Sequence, residues 1–314
     1  MNRKFSPLLL ALALLSGAVA AAPIAYVPNE KSGTLTLIDT ADDSVLGQIP
    51  AGAKPRGIAA SRDGKRLYVS DQPENALLVI DLESRQLRKK IELGESPEGV
   101  SISPDGKWVV AASELSNGVA FVDTATESKA FTIKTQGKNP EHAVFSPDGH
   151  WLYVSAEEAD TVDVIDVQKR EQVSSIKLAR RPRGIAFSPD GTRAWVACEL
   201  DSTVFVIAVP EHRVLAAIKA GQFSNGVTMR PDGRRVYVSN GREGTVSVID
   251  TKENRIIATV PVGQRPWNMA ITPDGKKLYV ANGRSNNVSV IDTDTNRKLR
   301  DIAVGEAPWG VVIR

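Results

Sequence analysis

The stretch Ser103-Pro104-Asp105-Gly106 is one of six copies of a turn motif, spaced 42 residues apart and once 43. The other copies are Ser61-Arg62-Asp63-Gly64, Ser146-Pro147-Asp148-Gly149, Ser188-Pro189-Asp190-Gly191, Arg230-Pro231-Asp232-Gly233 and Thr272-Pro273-Asp274-Gly275. Pro presets φ for the turn, Asp can bond the backbone two residues on, and Gly adopts the left-handed φ that a short hairpin needs. Each copy therefore predicts a hairpin, and the long period predicts a repeat architecture.

Two further motifs recur with the same period, but in seven copies. One ends a strand: Ile38-Asp39, Ile80-Asp81, Val122-Asp123, Ile165-Asp166, Ile207-Ala208, Ile249-Asp250 and Ile291-Asp292. The other is a tight connection: Pro55-Arg56-Gly57, Pro97-Glu98-Gly99, Pro140-Glu141-His142, Pro182-Arg183-Gly184, Ser224-Asn225-Gly226, Pro266-Trp267-Asn268 and Pro308-Trp309-Gly310. Within one period, residues 182–221 carry four short apolar runs with no helical pattern. The sequence therefore predicts an all-β β-propeller of four-stranded antiparallel blades.

The seventh turn is missing, and the two ends of the chain explain why. The segment Ile24-Ala25-Tyr26-Val27 matches a second strand, whereas residues 310–314 match a first strand without its turn. Together they complete one blade. We therefore predict seven blades over residues 21–314, in a ring closed by one C-terminal and three N-terminal strands. A solenoid would need atypical capping repeats at both ends, and none is visible.

Residues 1–20 have the pattern of a secretory signal peptide. Arg3 and Lys4 precede an apolar run, and Ala18-Val19-Ala20 is a small-residue cleavage site. The apolar run is too short to span a bilayer, so we expect no transmembrane segment after cleavage. The mature protein is expected to be a periplasmic monomer. Removing these residues leaves 37 Lys plus Arg against 37 Asp plus Glu, a balance that argues against a nucleic-acid partner.

Three second strands share one pattern, and each precedes a Val-Ile-Asp strand: Arg66-Leu67-Tyr68-Val69-Ser70, Arg235-Val236-Tyr237-Val238-Ser239-Asn240 and Lys277-Leu278-Tyr279-Val280-Ala281-Asn282. This pattern resembles the YVTN-type β-propeller repeat. As a whole, the chain resembles the periplasmic propeller proteins associated with PQQ-dependent alcohol catabolism. The resemblance implies a role beside a quinoprotein dehydrogenase or its cytochrome. No Cys-x-x-Cys-His motif is present for a covalent c-type haem, and the Trp-docking repeats of the large quinoproteins are absent.

Cysteine and histidine offer little chemistry. Cys198 is the only cysteine, so the chain can form no internal disulfide; we expect a small buried residue rather than a reactive thiol. His150 and His212 belong to turns on the face opposite His142, which disfavours a zinc site.

The loops that lead into the innermost strands should ring the mouth of the central channel. One column there reads Arg56, Glu98, Glu141, Arg183, Asn225, Trp267 and Trp309, and a second reads Glu30, Gln72, Glu114, Glu157, Glu199, Gly241 and Gly283. A third column adds Lys31, Glu158, Arg242 and Arg284. We therefore expect one acidic arc and one arc with arginines and exposed tryptophans.

Four interpretations of this mouth stay open. The residues could be solvated loops without a ligand. A divalent cation or small ligand could be held by Glu98, Glu114, Glu141, His142, Glu157 and Glu199. A partner protein could dock on Trp267, Trp309, Arg56, Arg183, Arg242 and Arg284. Finally, the acidic mouth could support metal-assisted hydrolysis of a lactone-like substrate. No activated nucleophile or His-carboxylate relay can be identified. The sequence therefore favours a binding or scaffold protein, accessory to PQQ-dependent alcohol oxidation, over a hydrolase. We expect no resident cofactor other than such a cation.

Overall fold

The computed structural model describes residues 22–314, and the predicted leader, residues 1–20, lies outside this range. The described residues form seven blades of four antiparallel strands each, so the predicted propeller is confirmed. None of them belongs to a helix long and apolar enough to cross a membrane.

The strands are numbered in chain order and grouped here by blade. Blades 1 to 3 contain β1 (Ile24–Asn29), β2 (Thr34–Asp39), β3 (Val45–Pro50); β4 (Pro55–Ala60), β5 (Arg66–Asp71), β6 (Ala76–Asp81), β7 (Gln86–Glu92); β8 (Pro97–Ile102), β9 (Trp108–Ser113), β10 (Gly118–Asp123) and β11 (Ser128–Lys134). Blades 4 and 5 contain β12 (Pro140–Phe145), β13 (Trp151–Ala156), β14 (Thr161–Asp166), β15 (Glu171–Lys177); β16 (Pro182–Phe187), β17 (Arg193–Cys198), β18 (Thr203–Ala208) and β19 (Arg213–Lys219). Blades 6 and 7 contain β20 (Ser224–Met229), β21 (Arg235–Asn240), β22 (Thr245–Asp250), β23 (Arg255–Pro261); β24 (Pro266–Ile271), β25 (Lys277–Asn282), β26 (Asn287–Asp292) and β27 (Arg297–Ala303). The last strand, β28 (Val312–Ile313), belongs to blade 1.

The Ser-Pro-Asp-Gly motif forms the hairpin turn that joins the first two strands of a blade. In blade 3, Ser103 Oγ donates to Asp105 Oδ1 at 2.5 Å, and the same oxygen accepts the backbone N–H of Lys107 at 3.0 Å. Ser103 Oγ also accepts the N–H of Trp108 at 2.9 Å, while Gly106 has φ +74°. The turn is therefore closed by its own side chains, and the left-handed residue is Gly because a Cβ would strain this conformation.

Adjacent blades bury apolar side chains between them. Leu35 and Leu37 of β2 share one core cluster with Leu67 and Val69 of β5, which joins blades 1 and 2. Cys198 is fully buried in the cluster between blades 4 and 5, and burial raises the pKa of its thiol to about 12. The prediction of a small buried cysteine is confirmed.

The ring closes in blade 1 as predicted. The strand order there is β28-β1-β2-β3, with Tyr26 paired to Val312 and a further bridge between Asn29 and Pro308. A polar contact supports the neighbouring seam, because Lys277 Nζ of blade 7 lies 2.8 Å from Asp43 Oδ1 of blade 1. Because β28 contains only two residues, the ring is closed by a small number of contacts.

The innermost strands approach one another closely around the channel. A Cβ added at Gly57 would lie 2.2 Å from the Glu98 carbonyl oxygen, and one at Gly99 would lie 2.7 Å from the Glu141 carbonyl oxygen. This crowding explains the glycine that ends most copies of the tight connection. In two blades His142 and Asn268 occupy that position.

Candidate functional site at the channel mouth

A bulge at the start of each complete innermost strand presents one side chain to the channel. In blade 2, Pro55 pairs with Asp71 and Ile58 with Val69, so two residues of β4 lie opposite one residue of β5. Equivalent register shifts occur in the other five blades whose first strand is complete. Because a bulge redirects side chains, the residue after the proline points into the mouth. The first column predicted from the sequence is therefore brought together.

Arginines at the mouth are paired with carboxylates. Arg56 lies between Glu30, at 3.2 Å, and Glu98, with which it forms a closer ion pair. Arg56, expected in the basic arc, is thus bound to a residue of the acidic arc, so the two arcs are not separate. The physical reason is burial: Glu98 is fully buried, and a buried charge needs a partner within the protein.

Arg183 is the centre of the second group of ion pairs. It contacts Glu141 closely, Glu157 at 2.6 Å and Glu199 at 3.2 Å, and only 13% of its side chain is exposed. Arg265 adds a bond of 2.9 Å to Glu199. Arg183 and Arg56 were predicted as docking residues, but in the structure their guanidinium groups are occupied by carboxylates.

The pKa values of the carboxyl groups diverge. Burial alone would raise the pKa of Glu141, but Arg183, Arg56 and the other neighbouring groups together outweigh it and hold the pKa at about 2. Burial and then the charge of Glu141 raise the pKa of Glu157 to about 7. The same two causes raise the pKa of Glu98 and of Glu114. Closely spaced carboxyl groups whose pKa values are pushed apart are typical of functional sites.

Aromatic side chains form the floor of the mouth. The ring of Trp309 stacks on His142 from the opposite side of the channel, with 5.7 Å between centroids and 15° between planes. Burial lowers the pKa of His142, so its imidazole is neutral at pH 7. Trp309 is only 8% exposed, so the expectation of an exposed side chain there is wrong. Trp267 is half-buried against Gly283, where a Cβ would lie 2.6 Å from its ring.

A cavity of about 210 Å³ lies above this floor. Its lining residues are Arg56, Glu114, Glu141, Arg181, Arg183, Asn225, Arg265, Trp267, Asn268 and Trp309. Arg242 and Arg284 are exposed and line a separate hollow of about 440 Å³ beside Phe223. The six residues predicted to dock a partner are thus divided between these two cavities.

Two cavity residues, Arg181 and Arg265, were missed by the sequence analysis. Each directly precedes the proline of a tight connection and has positive φ, 63° and 53° respectively. Both side chains reach the mouth, where they contact Glu199. The sequence signal that could have identified them is their shared position, one residue before the tight connection. His150 and His212 lie far from His142 as predicted, and His212 Nδ1 is 2.9 Å from the hydroxyl oxygen of Tyr153.

The model of the family "Lactonase, 7-bladed beta-propeller" matches residues 15–134 and 176–308, more than half of the chain. The chain therefore belongs to this lactonase family of seven-bladed propellers. A comparison with curated proteins gave no match.

Solved structures with the same fold come from several sources. A Kuenenia stuttgartiensis hydrazine synthase chain is 25% identical with a TM-score of 0.79, over 85% of this chain and 92% of that one. A candidate 6-phosphogluconolactonase from Bacteroides fragilis is 20% identical with a TM-score of 0.79, over 95% and 99%. Another from Bacteroides uniformis is 19% identical with a TM-score of 0.77, over 93% and 99%.

Proposed function

We propose that this chain hydrolyses a lactone in the cavity at the channel mouth. Membership of the lactonase family supports the reaction class. The observation that carries the proposal is the pairing of a base and a cationic group in one cavity: Glu114, whose pKa is raised, and Arg56 both line it. This interpretation reverses the preference of the sequence analysis for a non-enzymatic scaffold.

The chemistry follows from these two groups. Ionised Glu114 accepts a proton from water as the water oxygen attacks the lactone carbonyl carbon. The Arg56 guanidinium, which lines the cavity, stabilises the oxyanion that forms on the carbonyl oxygen. The ring C–O bond then breaks, and Glu114 returns the proton to the leaving alkoxide. One water is consumed, and a hydroxy acid is released.

The surroundings hold both groups in place. Ser96 Oγ donates to Glu114 Oε2 at 2.8 Å, and Arg56 is fixed by its two carboxylate partners. The indole of Trp309 forms an apolar surface for the ring carbons of the substrate. Because Glu114 must be ionised to accept a proton, the hydrolysis rate should rise with pH through its elevated pKa.

The test is acid release from γ- and δ-lactones and sugar lactones, followed in a pH-stat. Glu114→Gln should lower kcat by about 10²-fold or more, since a general base contributes roughly 10²–10⁴-fold. Glu74→Gln is the matched control, because Glu74 is 51% exposed and pairs only with Lys90. Failure of the wild type to open any lactone above the background rate, or equal activity of both variants, would refute the proposal.

A second candidate is the docking of an acidic partner. Arg242 and Arg284 are exposed on the mouth face, and neither forms an ion pair with any residue in the range 22–314. We propose, on the leader and the overall resemblance, a periplasmic protein that contacts a quinoprotein dehydrogenase or its cytochrome. Exposed charges act mainly on the association rate. Replacing both arginines by Ser should slow association and flatten its salt dependence, whereas Arg213→Ser should not. Equal rates would discard this candidate.

A further inference from the structure

We propose that the channel mouth binds one divalent cation, Ca²⁺ in preference to Mg²⁺, through Glu114, Glu141 and Glu157, with Glu98 beside them. The binding site stands on the geometry alone. Only its use as a Lewis acid toward a lactone carbonyl rests on the proposed function. The ligand set differs from the one expected from the sequence, because Glu199 and His142 are not part of it.

The spacing of the carboxylates fits one ion. Glu114, Glu141 and Glu157 each offer an oxygen, and these three atoms lie within 4.8 Å of one another. Ca²⁺ binds oxygen at about 2.3–2.6 Å, so one ion can bridge oxygens up to roughly 5 Å apart. Mg²⁺ keeps several of its waters and is usually held by only one or two carboxylates, whereas Ca²⁺ accepts larger sets of protein oxygens. Three carboxylates from separate loops therefore favour Ca²⁺.

A second observation points to a ligand in the same place. Glu98 is fully buried, and its Oε2 has no hydrogen-bond partner, although its Oε1 is bound by Arg56. The charges of Glu141 and Glu114 act on this group, which places it next to the cluster. Such an oxygen is costly in a protein interior, and a cation would satisfy it.

The charge count at the mouth agrees with a divalent ion. The carboxylates of the connected network are Glu30, Glu98, Glu114, Glu141, Glu157 and Glu199, and its guanidinium groups are Arg56, Arg181, Arg183 and Arg265. Fully ionised, the network lacks two positive charges. One divalent cation supplies this difference. Lys54, which is 3.9 Å from Glu30 and 47% exposed, is screened by solvent and changes the balance little.

Protons are the competitors for this position. Two protons shared among the carboxyl groups would balance the same charge. Cation binding must therefore release protons. The binding enthalpy should therefore depend on the ionisation enthalpy of the buffer.

The experiment uses the full chain, treated with EDTA and dialysed, with titration of CaCl₂ and MgCl₂ by calorimetry and thermal unfolding. We expect one Ca²⁺ per chain, weaker Mg²⁺ binding and a Tm that rises with Ca²⁺. Even outer-sphere partners of a metal cost about 10–100-fold in affinity, so Glu114→Gln and Glu157→Gln should each weaken Ca²⁺ binding by at least tenfold. Glu74→Gln is the control. Glu141 is left intact, because it is buried and paired with Arg183, so its replacement would also destabilise the fold.

The outcomes separate this inference from the proposed function. No heat and no Tm response of the wild type to CaCl₂, or an affinity unchanged in both variants, overturns the cation site whatever the hydrolysis assay shows. Ca²⁺ binding that disappears in the variants, in a protein that opens no lactone, supports the site and refutes only the proposed reaction. The binding measurements need no substrate, so each result counts for one claim alone.

Discussion

Replacement of Arg183 by Met tests the ion-pair network most directly. The substitution keeps an unbranched apolar side chain but removes the guanidinium that contacts Glu141, Glu157 and Glu199. Breaking a buried ion pair by removing one partner costs about 3–5 kcal/mol, because the remaining charge stays buried. For a chain of this size, that corresponds to a fall in Tm of roughly 6–15 °C at pH 7.5. Tryptophan fluorescence during heating and urea denaturation would both measure it.

The pH dependence gives this prediction a sign. The folded-state pKa of Glu141 is about 2, below its ordinary value of 4.5. Its contribution to the free energy of unfolding is therefore complete above pH 4.5 and is lost as the pH falls toward 2. Arg183→Met removes that contribution, and its carboxylates can instead take up protons in acid. The stability difference from wild type should be largest near pH 7.5 and smaller at pH 4.

Arg180→Met is the control for this experiment. Arg180 also forms an ion pair, with Asp201 at 2.7 Å, but 64% of its side chain is exposed. Solvent screens such a pair, so the variant should unfold like the wild type at both pH values. A loss of stability equal in the two variants, or a loss from Arg183→Met that is independent of pH, would show that Arg183 does not act through buried charge.

The remaining predictions concern ring closure, the hairpin turns, the Cys198 thiol and the Trp309 indole. Deleting residues 310–314 removes β28, so the truncated chain should aggregate or lose cooperative unfolding, as seen by light scattering and calorimetry; an unchanged Tm with monomeric elution would contradict ring closure. Gly64 has φ +69° with nothing within 4 Å of a Cβ, so Gly64→Val should cost about 1–3 kcal/mol through backbone strain alone, whereas Lys65→Ala at the exposed neighbour should be silent. Cys198 should not react with a thiol reagent at pH 8 until the protein is unfolded, because its pKa is about 12; rapid reaction of the native protein would contradict its burial. Trp309→Ala should cost about 3–5 kcal/mol in the free energy of unfolding from denaturant titrations, and a loss below 1 kcal/mol would show that the indole does not fill the channel.

The fold could be predicted because its determinants are local. The turn at Ser103 to Gly106 is closed by its own side chains, and the same residues recur with a constant period. Blade number and closure then follow from counting the repeats. Neither the number of blades nor the closure depends on knowing which distant residues are in contact.

The site was predicted only as a set of columns, because its interactions cross from blade to blade. Arg183 and Glu141 are 42 residues apart, and nothing in either repeat indicates which neighbour the arginine selects. The burial of Trp309 depends on the channel width, which lets its indole reach His142 on the far side. Arg181 was missed because it has a positive φ, a backbone conformation that cannot be predicted from an arginine in the sequence.

The position of Trp309 links ring closure to the site itself. The indole stacks on His142 of blade 4 and also lines the cavity. Trp309 lies next to Pro308, which bridges to Asn29 where the two ends of the chain meet. A molecule whose ring has not closed has no cavity floor, so partly folded chains cannot display the site.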